Sequence, residues 1–65
     1  MMSLKEIVFF RAHAEYEGYQ WMVGRGGYTQ TELDFQKARF FAAYQIIEEA
    51  MLEREYEAWV EEQKD

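Results

Sequence analysis

Three glycines, Gly24, Gly26 and Gly27, fall within a short stretch of a chain that holds one other glycine and no proline. Glycine takes positive φ at no steric cost and proline is the strongest helix breaker, so this cluster is the one place where the chain is written to reverse. Good helix formers dominate both flanks. On the N-terminal side, Ser3-Leu4-Lys5-Glu6 has the capping-box pattern, and the helix it opens is predicted over residues 4–23. Gly18 sits inside that helix and weakens it by roughly 1 kcal/mol relative to alanine, which predicts a bend or early fraying there.

Beyond the loop, residues 24–31, both Thr29-x-x-Glu32 and Thr31-x-x-Asp34 read as helix starts, and helix 2 is predicted over residues 32–62. The apolar runs "EIVFF" and "RFFAAYQII" lack the alternation of strands. The expected fold is therefore all-α: one domain over residues 1–65, a helical hairpin with a shorter helix 1 and a long helix 2. At the usual helical rise the two measure about 30 and 50 Å. Helix 1 then covers helix 2 only as far as Leu52, and the segment from Glu53 onward is expected to overhang.

Each helix carries more apolar surface than one neighbour can bury. On helix 2, Leu33, Phe40, Tyr44, Ile47, Met51 and Ala58 share a stripe suited to the inside of the hairpin. Phe35, Phe41 and Ile46 fall on other faces. Helix 1 has one apolar side through Leu4, Val8, Ala12, Tyr19 and Met22, and another through Ile7, Phe10, Ala14 and Trp21. Between these sides sit Arg11 and Glu15, expected as a structural ion pair or a specificity contact.

A chain of 65 residues buries too little surface to be comfortable alone. With no cysteine and one histidine, His13, disulfides and metal sites are not expected to compensate. Self-association is the remaining solution. A homodimer completing a four-helix bundle is the economical form, with Phe10, Trp21, Phe35, Phe41 and Ile46 at the oligomer interface.

Charge is distributed unevenly. Up to Ile47, Glu6, Glu15, Glu17, Glu32 and Asp34 are balanced by Lys5, Arg11, Arg25, Lys37 and Arg39. After it, Glu48, Glu49, Glu53, Glu55, Glu57, Glu61, Glu62 and Asp65 face only Arg54 and Lys64, so this end holds the whole net charge of −6. Anions near a helix C-terminus oppose the helix dipole, and carboxylates four apart repel. The same segment keeps large apolar side chains. Leu52, Glu53, Tyr56, Glu57, Trp59 and Glu61 are therefore the expected partner-binding residues, apolar anchors framed by carboxylates that suit a basic groove.

Catalytic patterns are missing. No Glu-x-x-His pair, no cysteine and no serine beyond Ser3 are present, so neither a bundle metal centre nor a nucleophile with its base is expected. No enzyme activity and no cofactor are expected. The few scattered bases argue against direct nucleic-acid binding. No apolar run approaches the roughly 20 residues of a membrane span, so a cytoplasmic protein is expected. The favoured function is a small acidic regulator or inhibitor that self-associates and binds another protein. A competing reading is an oligomer that holds a small phosphorylated ligand or nucleotide through the loop, with Arg25, Tyr28 and Thr29 as the anion contacts. A third is a structural subunit of a larger assembly.

Overall fold

The structure, a computed structural model, describes residues 1–64; Asp65 of the acidic run lies outside them. The described residues form three helices and no strand, α1 (Leu4–Arg25), α2 (Gln30–Glu49) and α3 (Glu53–Gln63). None of the three is long and apolar enough to cross a membrane.

Local chemistry sets the first two helices. The Glu6 N–H donates to Ser3 Oγ at 3.2 Å while the Glu6 carboxylate reaches back to the Ser3 N–H, closing the expected box. At the other end Gly26 and Gly27 take φ of 76° and 86°, where a Cβ would be strained, and the chain reverses. Of the two candidate starts for α2, Thr29 is the cap. Its hydroxyl accepts from the Glu32 N–H at 3.1 Å, and Glu32 accepts from the Thr29 N–H at 2.8 Å.

Helices α1 and α2 pack antiparallel, with Tyr16 against Phe40 and Val8 beside Ile47. Phe9, Ala12, Ala43, Ile47 and Tyr56 form the buried core. The seam also holds a polar knot. Glu15 is buried; its carboxylate accepts from Arg39 Nε at 2.9 Å, from Arg39 Nη2 at 3.2 Å and from Gln36 Nε2 at 3.1 Å. Arg11 lies 3.4 Å away, so the expected i,i+4 pair exists but is the weaker contact. Gly18 causes no fraying. A Cβ there would stand 2.9 Å from Gln36 Nε2, so glycine makes room for the amide that donates to the Glu15 carbonyl at 2.9 Å.

The long helix 2 is not continuous. It stops at Glu49, the Leu52 N–H bonds to the Ile47 carbonyl and the Met51 N–H to the Glu48 carbonyl, the hydrogen-bond pair of a Schellman motif. That motif needs a left-handed residue, normally glycine, and here Met51 supplies it at φ 59°. The conformation costs a non-glycine residue about 1–2 kcal/mol. Helix α3 then turns back along α1, so none of the described residues forms the expected overhang.

Tertiary burial offsets the local cost. Tyr56 and Trp59 pack on Phe9 with ring centroids 5.4 and 5.9 Å apart, and Tyr56 meets Tyr44 edge-on at 5.7 Å. Lys5 reaches Glu55 at 2.7 Å on the rim. The break also resets the helical phase. Met51 and Ala58, expected inside, are exposed, while Tyr56 moves to the core.

Candidate functional site

What the three helices leave uncovered is a strip on the outer face of α2. Phe35, Ala38, Ala42 and Ile46 recur along it at helical spacing, while Phe41 lies on another ridge, over a pocket shared with Tyr16, Tyr19 and Gln20 of α1. Phe35 is 67% exposed, Phe41 56% and Ile46 53%. Isolated exposed apolar residues are ordinary, but Phe35 and Ile46 flank Ala38 and Ala42 along one ridge, which another helix can approach closely. Of the other two expected interface residues, Phe10 and Trp21 are also exposed. They lie with Ile7 on the outer face of α1, on the opposite side of the hairpin, so the structure does not gather all five into one surface. Phe10 is further committed to an edge-on contact with Trp59 at 4.7 Å.

The acidic segment is divided by its own folding. Leu52, Tyr56 and Trp59 turn inward and pack on the core, leaving Glu57 and Glu61 exposed and Glu53 half-buried. The expected apolar anchors of this segment are spent within the chain. Its carboxylates instead border a groove of about 300 Å³ between α1, α2 and α3. Tyr16, Phe40, Tyr56 and His13 line the groove, with Glu57 and Glu61 also contributing and Lys64 bonded to Glu61 at 3.2 Å. Aromatic faces bordered by carboxylates attract a cationic side chain through both ring quadrupole and charge. His13 and Tyr16 carried no signal for this in the sequence, because the groove exists only once α3 folds back.

Burial pushes the Tyr56 phenol above its ordinary range, with the neighbouring Tyr44 and Tyr16 adding to the effect. Tyr44 is raised as well, by burial first and then by Glu57, Glu48 and Glu53. A raised phenol means the fold holds the neutral form. That stability is full below the unfolded pKa of about 10 and is lost as pH rises through the higher folded value. Thermal melts between roughly pH 8 and pH 12 should thus fall away above about pH 10. Tyr56→Phe should keep the fold at neutral pH and move that decline upward; an unchanged alkaline midpoint would assign the loss to other groups.

In the loop, every expected anion contact already has a local partner. The Arg25 guanidinium lies 5.3 Å from the Trp21 ring centre, and Tyr28 packs against the same ring at 6.2 Å. Thr29 is engaged in its cap, and the Glu32 carboxylate accepts from both the Thr29 N–H and, at 3.1 Å, its hydroxyl. Compared with protein-family models, curated proteins and solved structures, the chain matches none.

Proposed function

We propose that this chain is a non-enzymatic interaction protein that self-associates and, as a small regulator or inhibitor, binds a protein with a basic surface. The observation that carries the reading is the strip on α2, where Phe35 and Ile46 are each more than half exposed, with Phe41 equally exposed on a neighbouring ridge. Two copies placing these strips together remove that apolar area from water, and a two-fold pairing uses one patch on both chains. The basic partner rests on the carboxylates of α3 and on the aromatic groove beside Glu57 and Glu61, which fit a lysine or arginine side chain.

Light scattering over a concentration series tests the first part. The wild-type mass should rise from one chain to two, and Phe35→Glu with Ile46→Glu should weaken the association tenfold or more, about 1.4 kcal/mol, without changing the helical content. Both side chains are more than half exposed, so the monomer should tolerate them. A wild-type protein that stays monomeric at every concentration, or variants that associate equally well, would remove the basis of the proposal. For the second part, neutralising Glu53, Glu57 and Glu61 should lower affinity for a cationic partner at low salt; unchanged affinity argues against a charge-led contact.

A further inference from the structure

We propose that two copies of this chain exchange α3: the α2–α3 joint straightens, and each α3 docks on the α1 of the other copy. The inference rests on the self-association reading and names a contact between copies other than the α2 strip. The joint is the most strained point of the described backbone, with Met51 the one non-glycine residue there at positive φ. Helix α3 begins at Glu53, and Leu52 at its N-cap supplies no side-chain hydrogen bond. Nothing in "IIEEAMLEREYE" is a glycine or proline, so the sequence favours helix straight through the joint. Straightening relieves Met51 and replaces the stop and the uncapped start with ordinary helical hydrogen bonds.

The contacts that hold α3 are conserved by the exchange. Phe9 receives Tyr56 and Trp59, Tyr44 receives Tyr56, and Lys5 receives Glu55, whether α3 comes from the same chain or docks on the α1–α2 hairpin of another. The cost is the freedom of one chain, which is why strained short joints are the usual sites of such swaps. An apolar groove lined by Leu4, Val8, Ile46, Ile47, Ala50 and Leu52 lies beside the joint, where two exchanging chains necessarily meet, and Met51 next to it is 86% exposed. Each open chain has two helices, so the exchanged pair is a four-helix dimer.

The chain has no cysteine, which makes a direct test available. Chains carrying Lys5→Cys and chains carrying Glu55→Cys are unfolded together, refolded as an equal mixture and treated with a short bis-maleimide, whose reach replaces that of the two long side chains. Exchange predicts a bis-maleimide cross-link joining one chain of each kind, identified by mass spectrometry of the linked peptides. A dimer by light scattering that lacks this cross-link overturns the exchange and leaves self-association through α2 intact; a monomer at all concentrations overturns both. Independently, Met51→Gly, which relaxes the closed joint, should reduce the cross-linked fraction at least fivefold, and Met51→Ala, which favours straight helix, should raise it. Equal fractions for both variants would show that the joint does not control association.

Discussion

Replacing Phe9 by alanine should cost about 3–5 kcal/mol, the usual range for deleting a fully buried aromatic side chain. Phe9 is 2% exposed and is the surface on which α3 sits. A domain of this length has about 3–10 kcal/mol in total, so the variant stands near the edge of folding. Its melting temperature should drop by roughly 15 °C or more. The loss has a location. Tyr56 and Trp59 would lose the ring they pack against, whereas the Tyr16–Phe40 contact and the Glu15–Arg39 knot of the seam do not involve Phe9. Amide exchange should therefore show α3 losing protection first, with α1 and α2 still protected. Equal loss across all three helices would mean that α3 is not a separable unit. Phe9→Leu, which keeps most of the volume, should restore much of the α3 protection.

The seam knot should respond asymmetrically. Arg39→Ala leaves the Glu15 carboxylate, with its side chain 11% exposed, without its bidentate partner, and Arg11 at 3.4 Å compensates only in part. That change should cost about 2–3 kcal/mol, toward the lower end of what breaking a buried pair costs. Glu15→Met removes the buried charge instead. Arg39 is half exposed and returns to water, and Gln36 keeps its bond to the Glu15 backbone carbonyl. The cost should be under about 1 kcal/mol. Urea denaturation of the two variants measures the difference; the reverse order would mean that the knot is held by something other than the desolvated carboxylate.

Much of this arrangement is legible in the residues. Ser3 and Thr29 announce their helices because a capping side chain acts on backbone only three positions away, and Gly26 and Gly27 announce the reversal because positive φ is a property of the residue itself. The exposure of Phe35, Phe41 and Ile46 is also legible, since a helix with apolar residues all round exceeds what one neighbour covers. The joint at Met51 is not. No residue there prefers to stop a helix, and the stop is imposed by contacts with Phe9 some forty positions earlier. For the same reason the sequence points to Arg11 as the partner of Glu15 by spacing, while the closer cation, Arg39, comes from across the seam. Reading Tyr56 and Trp59 as anchors for another protein follows directly from missing that joint. They are anchors, but within the described chain they hold α3 to α1.

The turn-back of α3 bears on the order in which the molecule assembles. The seam joins Glu15 to Gln36 and Arg39 over separations of 21 and 24 residues, whereas Lys5 and Glu55 are 50 apart. Searching for the second contact in an open chain is slower than for the first, though doubling the loop adds only about 0.6 kcal/mol of closure entropy. Once the hairpin has formed, the search shrinks to rotation about a joint of three residues, Ala50 to Leu52. Formation of the seam thus converts contacts fifty residues apart into nearly local ones, and α3 is placed last, by the helices it completes.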